Sequence, residues 1–304
     1  MNLPVLMSVL VGFLLVVAVV RDVLHELFHP AGTGTLSRRA RQVIWAGFHR
    51  YARGQPRRLR MAGPSALVAI IALWSVLATV GWALIYLPFL PTHFRYASPL
   101  VPSAEDGFGT ALYVSLVALS TLGFGDVTPT SLLLRVVVTL EAFLGFLLIT
   151  AGISWALSIK PVLAARRSLA ATIATWRYAE RCEAVQLDQL GADDVRPVLL
   201  ALTQRMALMR ANLLQSPETY YFVSEDADAS LPAVLPYLLV RVRTLAGRAD
   251  DVTIRFHATA LQRGIDQLAS TVGEQFLSMR GAQTDVVLAA YARDHLRTAA
   301  EAEP

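Results

Sequence analysis

Cysteine is nearly absent from this chain. The 304 residues hold one, Cys182, so no intrachain disulfide can form. A lone thiol fits a reducing compartment, where Cys182 reads as a structural residue. Lysine is as scarce: Lys160 stands alone, and the net charge of +4 comes almost wholly from arginine. No G-x-G-x-x-G occurs, so a dinucleotide-binding regulatory domain has no support. No run of alternating short strands argues for a cyclic-nucleotide-binding roll. The first apolar segment carries no arginine at every third residue, unlike a voltage-sensing helix.

What the chain has in quantity is apolar sequence. Hydrophobic residues make up 55% and mean hydropathy is +0.48, a membrane composition. Residues 3–20 are uncharged, and at 1.5 Å per residue they reach about 27 Å, enough to span. The helix can continue through Phe28 until Pro30 ends it. A signal peptide is the alternative, but its positive charge should precede the apolar run, and here Arg21 follows it. Residues 21–62 then hold nine arginines against Asp22 and Glu26, a net +7 that belongs on the cytoplasmic side. Within them, residues 38–53 mix arginines with Val43, Ile44, Trp45, Phe48 and Tyr51. That pattern fits a helix on the anionic inner leaflet, or a solvated basic loop. Nucleic acid is a poor partner for a loop flanked by spans.

Residues 64–90 form a second span, with Pro88 and Pro91 at its outer end. Residues 91–130 carry Arg95 against Glu105, Asp106 and Asp126, a net −2. The asymmetry orients the chain in an inner membrane: N-terminus out, basic loop in, residues 91–130 out. Residues 107–119 are apolar but too short to span. They read as a re-entrant helix, tolerated at membrane depth only within protein or beside water. Residues 131–159 form a third span.

The segment that follows the re-entrant helix, Ser120-Thr121-Leu122-Gly123-Phe124-Gly125-Asp126, reads as a backbone built to hold a dehydrated cation. A selectivity filter turns successive carbonyls toward one axis, whereas a strand alternates them. Turning them one way needs positive φ, which glycine adopts cheaply. Gly123 and Gly125 stand two apart, as that requires. Thr121 adds a hydroxyl as the lowest ligand ring, Leu122 and Phe124 face away to pack on the supporting helix, and Asp126 closes the outer end.

These residues resemble the potassium-channel signature T-V-G-Y-G-D, with Leu122 for valine and Phe124 for tyrosine, and Val127-Thr128-Pro129 resembles its continuation. Over about residues 64–160 the chain resembles the pore module of bacterial two-transmembrane, one-loop potassium channels. The resemblance implies passive K⁺ conduction with no covalent chemistry and no cofactor. It implies a filter at Thr121, Leu122, Gly123, Phe124 and Gly125, supported by Asp126. Gly145, 19 residues beyond Asp126, stands where relatives carry a hinge glycine, and Gly152 follows seven later. Either glycine serves bending or close packing. Gly145, Phe146, Ile149, Ile153 and Leu157 are candidates for the pore lining and gate, or for helix contacts. Relatives brace the filter with a carboxylate or tryptophans; Val117 sits in that carboxylate's region, and Tyr113 is the large aromatic with a hydroxyl. Glu141, inside an apolar run, must face protein or water, as a proton-sensitive group or as a hydrogen-bonded structural one. One loop cannot surround an ion, so the reading requires a homotetramer.

A weakly selective cation channel is the alternative. A third reading starts from His25-Glu26-Leu27-Phe28-His29, which matches H-E-x-x-H and would make an intramembrane zinc protease. It lacks a third ligand, and Pro30 ends its helix.

Residues 160–304 are near neutral, with 16 basic and 17 acidic side chains. Helical periodicity covers roughly 161–190, 193–214, 231–247, 252–279 and 283–300. Tyr220-Tyr221-Phe222-Val223 is an aromatic patch suited to dock on the bundle. The expected architecture is an all-α membrane protein. Its parts are an N-terminal span at 1–30, a basic linker at 31–62, a pore module at 63–160 and a helical cytoplasmic domain at 161–304.

Overall fold

The computed structural model describes residues 3–28, 34–52, 54–90, 92–97, 107–248 and 251–297. His29, Pro30, Arg53, Pro91, Glu105 and Asp106, which enter the sequence arguments above, lie outside the described residues. The fold is mostly helical, as expected. Contacts divide it into two units: residues 1–40 with 67–157, and residues 41–66 with 158–304.

Three helices are long and apolar enough to cross a membrane: α1 (Leu3–Phe28), the stretch containing α4 (Ala62–Tyr86), and α6 (Leu132–Glu183). The first and second expected spans therefore appear as α1 and α4. The third is longer than expected. The expected span at 131–159 and the helical stretch at 161–190 join in α6, which runs unbroken for 52 residues with Pro161 inside it. Proline removes one backbone hydrogen bond and crowds the preceding turn, and here the turns on either side keep the helix continuous.

In the first unit, glycine sets the approach of α1 to α4. A Cβ on Gly12 would lie 2.4 Å from the Gly81 carbonyl oxygen, so the two backbones touch where only hydrogen fits. The Ser8 hydroxyl donates to Leu84 O at 2.6 Å. Lower on α1, Asp22 is buried. It accepts hydrogen bonds from Leu36 N (3.0 Å), Ser37 N (3.1 Å), the Ser37 hydroxyl (2.5 Å) and Trp74 Nε1 (3.0 Å). The first two donors are orphan N–H groups of α2 (Thr35–Ala52), so Asp22 caps that helix from a distance. Trp74 in turn lies 5.6 Å from Trp155 of α6, ring to ring.

The second unit is a helical bundle around one apolar core. Its helices are the end of α6, α7 (Ala192–Gln215), α8 (Leu231–Arg248), α9 (Val252–Gln275) and α10 (Thr284–Asp294). Leu199, Leu202, Met206, Met209 and Leu213 recur every three or four residues and make one buried stripe on α7. The aromatic patch docks as expected. Pro217–Tyr221 form a buried 3₁₀ turn, and Tyr220 stacks on Phe276 with centroids 4.1 Å apart.

The same unit takes in part of the basic linker. Trp45 of α2, expected among the residues of a membrane-surface helix, packs edge-on to Tyr221 at 5.3 Å and against His295 at 5.5 Å. Its neighbours Val43 and Tyr51 are exposed. After the short α3 (Pro56–Leu59), Arg60 pairs with Glu225 at 2.6 Å, and Gly63 leaves no room for a Cβ beside the Phe222 ring. Arg166 donates to the carbonyls of Thr219 and Phe222, which fixes the turn. Cys182 is exposed.

Candidate ion-conducting pore

The re-entrant helix is α5 (Gly107–Leu119). Its end is set by backbone chemistry. Leu122 N donates to Val117 O (3.1 Å) and Thr121 N to Ala118 O (2.9 Å), the paired bonds of a Schellman motif. That motif needs a left-handed residue after the helix, normally glycine. Here it is Thr121, at φ 61°. A β-branched residue at positive φ is a rare, strained choice. It places a hydroxyl at the exact point where the helix stops and the filter segment begins.

Positive φ then recurs at every second residue: Thr121 at 61°, Gly123 at 59° and Gly125 at 76°. Alternating the sign of φ undoes the alternation of a strand and lets carbonyls of neighbouring residues share a side. Leu122 and Phe124 depart from expectation. Expected to be covered by the supporting helix, they are 62% and 65% exposed in the single chain. Asp126 closes the segment. Tyr113 of α5 donates its hydroxyl to Asp126 Oδ2, while Asp126 Oδ1 accepts from Val127 N at 3.0 Å. Residues 120–126 are thereby braced to α5 by a tyrosine–aspartate bond.

Beyond it, a short antiparallel ribbon pairs β1 (Phe94–Tyr96) with β2 (Val127–Pro129), Tyr96 opposite Val127. The ribbon adds strand to a fold expected to be all-α. Ala97 N donates to Asp126 O (2.8 Å) and Thr130 N to His93 O (2.9 Å). It fixes residues 126–130 to residues 93–97, which follow α4.

Gly145 was grouped with the pore lining. The structure instead buries it against α5: a Cβ there would sit 1.9 Å from the Leu119 carbonyl oxygen. Of the two roles open to this glycine, close packing is the one with a contact behind it. Gly152 is looser, with Ile71 Cδ1 at 3.3 Å from its built Cβ. Phe146, Ile149, Ile153 and Leu157 are exposed in the chain. They follow the three-to-four spacing of a helix face, away from the buried Glu141, Leu148 and Trp155.

Glu141 is fully buried between three helices. Its Oε2 accepts from the Tyr86 hydroxyl of α4 and its Oε1 from the Ser115 hydroxyl of α5, each at 2.5 Å. This carboxylate ties the re-entrant helix to both flanking spans. The apolar surroundings of Glu141 announced a special role; Ser115 and Tyr86 gave no sequence signal of their own, because a lone hydroxyl in an apolar run is common. Asp22 was counted only as a loop charge, and its buried place was likewise missed.

His25 and Glu26 lie on α1, where Glu26 Oε2 accepts from Gly34 N at 3.2 Å, while His29 is outside the described residues. Among the described residues no three His, Cys, Asp or Glu side chains gather in a way that could hold a metal.

Residues 69–157 match the family model described as "Ion channel". This stretch, which holds α5, residues 120–126 and parts of α4 and α6, is an ion-channel domain and not an enzyme domain. The chain is also similar to the uncharacterized membrane protein YdjJ of Bacillus subtilis, at 26% identity over 230 residues. The match covers 74% of this chain and 66% of that relative's length. With three apolar helices long enough to cross, the chain is a multi-pass membrane protein. No solved structure matches it.

Proposed function

We propose that four copies of this chain surround one axis and conduct K⁺ passively across the inner membrane, in the manner of bacterial pore-loop potassium channels. The observation that carries this reading is the positive φ at every second residue from Thr121 to Gly125, directly after a capped, membrane-depth helix. The carbonyls of Thr121, Leu122, Gly123, Phe124 and Gly125 replace the ion's water, and Asp126 holds the outer end. The exposure of Leu122 and Phe124 supports the tetramer, since large apolar side chains beside a filter need neighbours to cover them. Phe146, Ile149, Ile153 and Leu157 line the inner cavity and gate. Charge asymmetry places the filter outside, and residues 161–304 and the arginine-rich segment in the cytoplasm, where α2 meets the anionic leaflet.

Flux into liposomes tests this. K⁺ uptake should exceed Na⁺ uptake, and Gly123→Ala should abolish it while the tetramer persists, because a Cβ at φ 59° distorts the ligand ring. Equal K⁺ and Na⁺ flux would identify a weakly selective cation channel. No flux under any condition would overturn the channel reading.

A further inference from the structure

The second unit holds a cavity of about 410 Å³ between the last turns of α6 and the first turns of α7. That volume suits a small ligand. Its apolar lining includes Leu187, Leu190 and Val198, and Trp176 also lines it. No Arg, Lys or His lines it, while Glu180, Glu183 and Asp194 do. The three carboxylates differ in what they already do. Glu180 is committed, accepting from Arg241 Nε and from Leu187 N, each at 2.9 Å. Glu183 and Asp194 are exposed at the rim, with no partner among the described residues. The cavity thus combines an apolar lining, an aromatic side chain and two exposed carboxylates without a protein partner among the described residues. An anion is repelled, and a neutral apolar guest gains the apolar contact alone. A cation with apolar substituents satisfies all three features, through contact with the apolar lining, cation–π contact with Trp176 and attraction to the rim.

We propose that this cavity is a binding site for a small organic cation of the aryl-alkyl ammonium class. The proposal stands on the second unit alone and does not depend on the channel reading.

Equilibrium dialysis of the full-length protein against benzyltrimethylammonium at low ionic strength tests it. Saturable uptake of about one cation per chain is expected, and Glu183→Gln with Asp194→Asn should weaken it by about tenfold, the scale of two exposed charge contacts. Both carboxylates are exposed, so the double variant keeps its helical circular dichroism. Trp176→Leu should weaken binding as well. Benzoate, of similar size and opposite charge, should not bind. Equal binding of benzoate, or cation binding unchanged in the double variant, overturns the site. So does absence of cation uptake with a changed oligomer mass in the double variant, which would make the cavity a contact between copies of the chain.

Discussion

The two units turn their apolar residues in opposite directions. In the first, α1 exposes Leu6, Leu10, Phe13, Leu14 and Val17, and α6 exposes Phe143, Phe146 and Ile149. In the second, α9 buries Ile254, Leu261, Ile265 and Leu268. The solvent explains the reversal. Lipid is as apolar as leucine, so a membrane helix gains nothing by hiding leucine and associates through small residues and hydrogen bonds instead. In water the gain from burying apolar area holds the bundle together. Buried polar groups therefore mean different things. In the first unit Asp22, Ser115 and Glu141 join helix to helix. In the second, Arg166, His295 and Arg297 bind backbone carbonyls of irregular segments, His295 Nε2 lying 2.8 Å from Tyr220 O and Arg297 Nη2 2.5 Å from Ser224 O.

The strongest test of that contrast is Glu141→Ala. It strands two buried hydroxyls, at about 1–3 kcal/mol for each, and should lower the thermal midpoint of the purified protein and its ion flux together. Glu141→Gln, which keeps an acceptor, should be milder, and equal loss in both variants would mean that charge matters more than the bonds. Next come Leu10→Asp and Leu208→Asp, at residues 53% and 50% exposed in the two units. In α1 the change should cost about 3 kcal/mol of insertion, seen as less protein in the membrane fraction, whereas on α7 it should stay within about 0.5 kcal/mol. Similar effects at both positions would break the comparison.

Gly145→Ala drives a methyl into the Leu119 carbonyl and should destabilise by about 1–3 kcal/mol through overpacking, with flux lost by displacement of the filter segment. Gly152→Ala meets only a side chain and should be nearly silent. A pH dependence belongs to the second unit. Burial holds His295 down to about 4 from its ordinary 6.5. The unfolded chain then binds the extra proton first, so stability of the second unit is fully present above about pH 6.5 and declines toward pH 4. His295→Gln should flatten that decline in circular dichroism melts taken across the range.

Much of this was legible in the chain. The apolar runs marked α1, α4 and α6, and the three-to-four periodicity marked α7 to α10, because each pattern is local. The need for positive φ at Gly123 and Gly125 was legible for the same reason: spaced glycines state their backbone need wherever they occur. The continuity of α6 through Pro161 was not, since a proline signals a break and only the flanking turns decide whether one happens. The ribbon at 94–96 and 127–129 was missed because three-residue strands have too few positions to show a period.

By itself, then, the sequence determined which segments are helices, which can cross a membrane and where positive φ is needed. Hydropathy and glycine spacing act over a few residues and need no partner. Tertiary structure alone decided which polar groups meet: Glu141 with Ser115 and Tyr86, Asp22 with the start of α2 and Trp74, Tyr113 with Asp126. It also turned Gly145 from a candidate hinge into the seat of a carbonyl. Those contacts join residues many turns apart, and a hydrogen bond or a close approach exists only once two helices have been set side by side.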